Sequence, residues 1–397
     1  MSLTLSAQTF TTLCNFRSQD NAYDGTLPVG SVLLGPQGEL YGTTWSGGRW
    51  SAGTVYELLP PASPGGAWTE VVLHSFKGED GGFPLAGLVM GPNGTLYGVT
   101  QTGGRGFGNA FKLDPPTGTS TQWPYTVIYQ FTEADGTPSG SLVFGSHLGY
   151  GQSLYGNASV RGGSATVYRL TPPPVAGGVW SKMTLYAFPG GSRGTLPTGS
   201  LAVGSAGTLF GVTSDGGYVG EGCGYRDGCG TVFSLTPPAQ AGGPWTEGVL
   251  HAFNPGIGDG AVPGAGVIIG PGGMLYGTTV FGGEGNYGTV FSLTPPVAPG
   301  APVTETILYA LLGFGNPNAL VLRTNGVLYG TTSASVFELA PPASPGGSWT
   351  QTTLHSFTIG MGGGYPNGLT LAPDGTLYGT AENGGTMGGG IVFALTP

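Results

Sequence analysis

"NGTLYGVTQTGG", Asn93 to Gly104, is written with small variations six more times along the chain. It returns as "GELYGTTWSGG", "QSLYGNASVRGG", "GTLFGVTSDGG", "GMLYGTTVFGG", "GVLYGTTSAS" and "DGTLYGTAENGG". The aromatic of the phrase falls at Tyr41, Tyr97, Tyr155, Phe210, Tyr276, Tyr329 and Tyr378, with spacings of 56, 58, 55, 66, 53 and 49 residues. Recurrence at such a period marks a repeat architecture, in which one small unit cannot bury its apolar face alone and must stack on its neighbours.

Each unit has room for four strands of about 5 or 6 residues plus turns. In the second unit the apolar runs are "AGLVMG" (86–91), "TLYGVT" (95–100), "GNAFKL" (108–113) and "WPYTVIYQF" (123–131). None has helical spacing or length. The third run recurs as "GTVYEL", "ATVYRL", "GTVFSL", "SVFEL" and "GIVFAL", and is followed by Pro-Pro corners such as Pro60-Pro61 and Pro237-Pro238. Proline has no N–H for a central ladder, so the chain must turn away there. The fourth run then opens on Trp68, Trp123, Trp180, Trp245 or Trp349. Four antiparallel strands repeated radially predict an all-β propeller.

The ends set the blade count. The chain stops at "GIVFALTP", after a third strand, and opens with "AQTFTTLCNF", which matches the fourth-strand pattern "WTEVVLHSF". The expectation is a seven-bladed β-propeller forming a single domain over 1–397, in which residues about 7–16 complete the blade formed by about 367–397. Such closure leaves no open sheet edge. The glycine of the phrase is expected to let the neighbouring blade pack close.

Composition agrees. The 81 glycines follow no three-residue period, which excludes a collagen-like helix. With 39% hydrophobic and only 8% charged residues the chain is too apolar for disorder. A net charge of −9 with eleven basic residues argues against nucleic acid as a partner, because that needs clustered Lys and Arg. No apolar run reaches the roughly 18 residues of a membrane span, and "MSLTLSAQTF" lacks the basic start and apolar middle of a signal segment. Cys223 and Cys229 flank the short loop "CGYRDGC" and are expected to pair, which favours an oxidising compartment, whereas Cys14 lies in an apolar strand. Two cysteines without further Cys or His nearby make a poor zinc site.

The combination "GxLYGTTxxGG…GTVFxL", then Pro-Pro and "WTExxLHxF", resembles the Gly-rich tandem-repeat family called GloVer repeats. The resemblance covers almost the whole chain. It implies a bacterial propeller protein that is exported or surface-anchored, and it supplies no catalytic residues to carry over.

Antiparallel connectivity sorts the loops into two faces. The turns "GPQG", "GPNG", "GPGG" and "APDG" and the Pro-Pro corners share one end of the blades; the loops between strands two and three and the inter-blade loops share the other, and these vary. A variable loop set on a repeated scaffold is where a specific property can be placed. His74, His251 and His355 occupy one repeat position, where other blades carry Tyr129, Tyr186, Tyr309 and Cys14. Positions spread around a ring do not converge on one metal, so these histidines are read as structural, and His147 as a surface residue. Catalysis through His is thereby disfavoured. Asp24, Asp80, Asp135 and Asp259 recur before Gly in the inter-blade loops and are read as turn residues, with calcium binding possible but not favoured. No metal or cofactor is expected. The inner strands carry no carboxylate, which counts against a glycosidase built on paired acids at the axis. Neither a Gly-x-Ser-x-Gly elbow nor a phosphate loop is present.

Residues that break the repeat are the candidates for ligand binding. Trp45, Arg49 and Trp50 sit together in "TWSGGRWSAG", and exposed aromatics beside a guanidinium can stack on a sugar ring. Arg105, Phe107, Arg161, Phe281, Glu284, Asn286 and Tyr287 offer similar chemistry from other blades. The longest departure is "SDGGYVGEGCGYRDGCG" in the fourth blade, carrying Asp215, Tyr218, Glu221, Tyr225, Arg226 and Asp227. A loop held by a Cys223–Cys229 bridge costs less to order on binding. Arg323 ends an inner strand where other blades place small or apolar residues. The leading expectation is an extracytoplasmic, monomeric module that binds a glycan or partner protein on the variable face. The alternative is a polysaccharide lyase or hydrolase without His-based catalysis, with Tyr218, Tyr225, Arg226 and Asp227 as catalytic candidates, a tyrosine serving as base beside an arginine. A purely structural surface protein is the third.

Overall fold

The structure is a computed structural model and describes residues 8–17, 24–145, 152–159, 165–175, 177–223, 227–240, 242–295, 303–312, 315, 317–344, 346–358 and 363–396. Among these, the strands form seven sheets, six of four strands and one of five. The first blade shows the plan: Gly25–Leu34, Leu40–Gly47, Thr54–Leu59 and Thr69–Ser75 pair in chain order, each antiparallel to the next. In the fifth blade the inner strand is broken into Gly260–Pro263 and Ile268–Ile269, which accounts for its extra strand. In the seventh, Thr9–Arg17 takes the outer position beside Gly388–Thr396, with Thr9 opposite Thr396 and Phe10 opposite Leu395. The fold is a seven-bladed β-propeller with the N-terminal strand in the sheet of the last blade.

The chain divides into two compact units. One comprises Met1–Lys77 with Asn318–Pro397 and holds the first, sixth and seventh blades; the other, Gly78–Pro317, holds the second to fifth. In each, apolar faces of successive sheets meet. Phe16, Val32, Leu40, Tyr56, Leu58 and Val392 form one such core in the first unit, and Val99, Ala110, Phe131, Leu142, Leu154 and Tyr168 join the second and third blades in the other. No helix among the described residues is long and apolar enough to cross a membrane.

The glycine of the repeated phrase has a different role from the one its sequence suggests. In every blade it lies opposite the aromatic of the third strand, as Gly42 opposite Tyr56 and Gly211 opposite Phe233. A Cβ at Gly42, Gly98, Gly156, Gly211, Gly277, Gly330 or Gly379 would collide with that aromatic ring or its hydroxyl. The phrase therefore pairs a small residue with a large one inside a single blade. Close approach of neighbouring blades is managed by inner-strand glycines: Gly140, at φ +75°, lies against the backbone of Gly199, and Gly199, at φ +64°, against Gly266. Only glycine tolerates that backbone and that proximity.

Each outer strand carries a register shift against the third strand of its blade, as between Val232 and Phe233 against His251 and Val249. The extra residue there is Leu250. Such a bulge twists the strand and re-aims the side chains beside it. The position it re-aims is the one held by Cys14, His74, Tyr129, Tyr186, His251, Tyr309 and His355.

Candidate functional site

Four residues before each of those positions lies a second one, occupied by Phe10, Glu70, Tyr125, Lys182, Glu247, Glu305 and Gln351. Between successive blades the inter-blade loop supplies a third, occupied by Asp24, Asp80, Asp135, Arg193 and Asp259. Where the three positions are polar and lie in one unit, they build a polar seam between one outer strand and the next.

Within the second unit three seams can be compared directly. At the first, Asp135 accepts hydrogen bonds from the Tyr129 hydroxyl at 3.1 Å, the Thr132 N–H at 3.0 Å and the Thr132 hydroxyl at 2.7 Å, and pairs with the Lys182 ammonium at 2.8 Å. Burial alone would raise the Asp135 carboxyl, but Lys182 and the Thr132 bonds hold it below its usual range. At the next the charges are exchanged: Arg193 stands at the aspartate position and its guanidinium meets Glu247 at 2.9 Å, while the Tyr186 hydroxyl donates to the same carboxylate at 3.4 Å.

The third seam breaks the rule. Asp259 faces Glu305, so two carboxylates meet, and His251 stands where the others have tyrosine. His251 Nε2 lies 2.8 Å from Asp259 Oδ2, the Asn254 N–H donates to the same oxygen at 3.0 Å, and the Gly260 N–H donates to Oδ1 at 2.5 Å. Asp259 is buried, and its backbone bonds fix it as a turn residue as well as a partner of His251. One ligand atom from each of His251, Asp259 and Glu305 lies within 4.8 Å of the others. Glu305 Oε1 is buried and meets no hydrogen-bond donor. Burial, then the charge of Asp259, pushes the Glu305 carboxyl up to about 7 against the lowering effect of His251.

The variable loops flank this seam. The Gly283 N–H donates to the Asp259 carbonyl at 3.1 Å, which ties the loop bearing Glu284, Asn286 and Tyr287 to Asp259. Glu284 and Tyr287 are exposed, while Asn286, at φ +60°, spends its side-chain carbonyl on the Gly282 N–H at 2.7 Å. Phe281 packs partly against the core. From the fourth blade, Gly222 lies against Pro255 of the His251–Asp259 loop. Cys223 and Cys229 are joined by a disulfide buried among Val212, Val232, Phe253 and Val262, and the Cys229 N–H donates to the Tyr218 carbonyl at 2.9 Å. Tyr218 and Asp227 are exposed on that loop; Tyr225, Arg226 and, in the third blade, Arg161 and His147 lie outside the described residues.

Elsewhere the Arg49 guanidinium stacks over the Trp50 ring at 5.0 Å, the Arg49 N–H donates to Ser75 Oγ at 2.7 Å, and Trp50 is 51% exposed, whereas Trp45 is half-buried in its strand. Arg105 and Phe107 line an open cleft of about 520 Å³ with Thr132, Glu133 and Ala134. Arg323 Nη1 reaches the Tyr329 hydroxyl at 3.5 Å, a use for this side chain that its sequence position did not disclose.

Models of the Gloeobacter/Verrucomicrobia repeat match residues 1–225, 150–338 and 224–397. The chain belongs to this repeat family. Nothing among curated proteins matches it. Among solved structures it is similar to a streptogramin B lyase, at 14% identity with a TM-score of 0.57, covering 98% of this chain and 97% of that one. It is also similar to the virginiamycin B lyase of Staphylococcus aureus, at 13% identity with a TM-score of 0.56, covering 98% and 99%. At these identities the likeness establishes a shared fold.

Three expectations from the sequence are corrected by the seam. A pure binding module is expected where no cluster of reactive groups is visible; His251, Asp259 and Glu305 overturn that ground, because an imidazole and two carboxylates within 4.8 Å of one another are groups suited to proton transfer or metal ligation. Histidine chemistry was set aside because the repeated histidines do not converge. Convergence is unnecessary, since one histidine meets carboxylates from two other segments. The absence of a cofactor was expected on the same ground, yet one imidazole nitrogen and two carboxylate oxygens are a donor set that suits a divalent cation. A ligated pair around a tetrahedral ion stands ~3.4 Å apart, so the His251–Asp259 hydrogen bond would open by a fraction of an ångström.

Proposed function

We propose that the protein is an enzyme of the lyase or hydrolase class, acting on a glycan outside the cytoplasm, with its reacting centre at His251, Asp259 and Glu305. The observation that carries this reading is the 2.8 Å contact of His251 Nε2 with an aspartate that two backbone N–H groups hold in place, with Glu305 beside it. Geometry of this kind orients an imidazole for proton transfer. His251 takes a proton at Nδ1 from the substrate or from water, Asp259 fixes the ring through Nε2 and stabilises its charged form, and Glu305, whose carboxyl is pushed up to about 7 by burial and by Asp259, is suited to return a proton to the leaving oxygen. Tyr218, Asp227, Glu284 and Tyr287, on the two loops flanking the seam, are the proposed substrate contacts. The precedent for elimination on this fold comes from the two lyases it resembles. The buried Cys223–Cys229 bridge supports an extracytoplasmic setting.

The test is incubation of the purified chain with a panel of acidic and neutral polysaccharides, reading unsaturated ends for elimination and reducing ends for hydrolysis. Shortened products are expected, with a loss of roughly 100-fold or more in His251→Gln, the scale of a lost general base. Turnover that survives His251→Gln at full rate would remove the centre from the reaction.

A further inference from the structure

Two of the three seams of the second unit share one design, an acid and a base facing each other across the blade junction. Lys182 answers Asp135, and Arg193 answers Glu247. The exchange of sign between them shows that the pairing is kept while its direction is free. At Asp259 the answering residue is Glu305, and among the described residues no Lys or Arg pairs with either carboxylate. A fourth seam, in the first unit, also sets two carboxylates in one place, Asp24 and Glu70, but there the Arg17 guanidinium reaches Asp24 at 3.5 Å. The Asp259 seam is thus the one of these four without a permanent cation.

We propose that this seam binds one divalent cation of the zinc class, held by His251 Nε2, an Asp259 oxygen and Glu305, in the place that the Lys182 ammonium fills at the Asp135 seam. Glu305 Oε1 is buried and unpartnered; Glu70 Oε1 and Glu247 Oε1 in the same repeat column are too, but their seams hold Arg17 and Arg193, so of the three it is Glu305 whose buried charge has no permanent cation to answer it. An imidazole nitrogen in the set favours zinc over calcium, which takes oxygen ligands. The Asp259 backbone bonds fix one ligand in advance, as outer partners do in metal sites. The inference rests on the same cluster as the proposed reaction and gives it a second state: with the ion in place Nε2 is a ligand and the ring's one proton sits on Nδ1, so no ring nitrogen is left to accept a proton and ion binding and proton transfer exclude one another.

Zinc chloride is titrated into the full chain, with calorimetry for stoichiometry and thermal unfolding for linkage. One ion per chain and a zinc-dependent rise in melting temperature, reversed by a chelator, are expected. Glu305→Lys rebuilds the Asp135–Lys182 pair; it should fold, lose the zinc response, and melt at or above the metal-free parent. His251→Ala should weaken zinc at least tenfold. A parent chain indifferent to zinc, or a Glu305→Lys variant with an undiminished response, overturns the site. Cobalt absorption in the visible range gives an independent count of ligands should either variant unfold. Zinc binding without any turnover of the polysaccharide panel, with or without chelator, leaves the ion site standing and removes the enzymatic reading; turnover without zinc binding does the reverse.

Discussion

Asp135 and Asp259 occupy the same place in the repeat, each takes a backbone N–H from the loop before it, and they differ in what faces them. Asp135 meets a lysine whose side chain is 5% exposed, and its hydrogen bonds are completed by Tyr129 and Thr132. Every charge there is answered, so the seam joins two blades and has no capacity left for chemistry. At Asp259 the lysine is replaced by a glutamate and the tyrosine by a histidine, leaving a proton or a cation to be supplied from outside. The lesson is that in a repeat protein reactivity can arise where a structural pairing is left incomplete, without any new loop or insertion.

The comparison can be broken deliberately. Converting the Asp135 seam into a like-charged one, with Lys182→Glu, leaves two nearly buried carboxylates facing each other; a loss of about 3–5 kcal/mol is expected in equilibrium denaturation, the cost of breaking a buried pair. A loss below 1 kcal/mol would mean that seam charge is not balanced by contact.

The Asp24 seam sharpens it through pH. Burial, and then Asp24, pushes the Glu70 carboxyl up to about 7, while Cys14 and Arg17 pull it down. A carboxyl raised in the folded state binds its proton more tightly there than when unfolded. Its contribution is therefore greatest below about pH 4.3 and is lost as pH rises toward 7. The parent should lose on the order of 2 kcal/mol across that window, and Glu70→Gln should flatten the corresponding part of the stability profile. Superimposable profiles would show that Glu70 titrates normally. The smallest effect is expected from Arg17→Gln, because the Arg17–Asp24 pair is partly exposed: a change of about 1 kcal/mol or less, diminished further by salt.

Much of the fold was legible. Seven copies of one phrase fixed the blades, and the mismatch of the two chain ends fixed where the first strand belongs, because strand patterns survive in sequence whenever one face must be apolar. The reason for the phrase's glycine was not legible, since Gly42 and its counterparts answer to an aromatic across the ladder, not to a neighbour in the chain. The seam was hidden for a related reason. His251, Asp259 and Glu305 come from an outer strand, a loop and the next outer strand, and each alone reads as an ordinary member of its repeat column. Only the three columns set side by side reveal it: the same comparison shows Arg193 standing at an aspartate position opposite Glu247. Repeat-breaking aromatics point to Trp50, which stacks with Arg49, and to Phe107, which shares a cleft with Arg105, whereas the break at Asp259 lies in charge pairing, which no aromatic marks.

The most direct measurement sets the two aspartates against each other: polysaccharide turnover by Asp135→Asn and Asp259→Asn under conditions where both remain folded. The account predicts that Asp259→Asn falls at least ~100-fold while Asp135→Asn keeps the parent rate and loses only stability. Equal turnover in the two variants would contradict it.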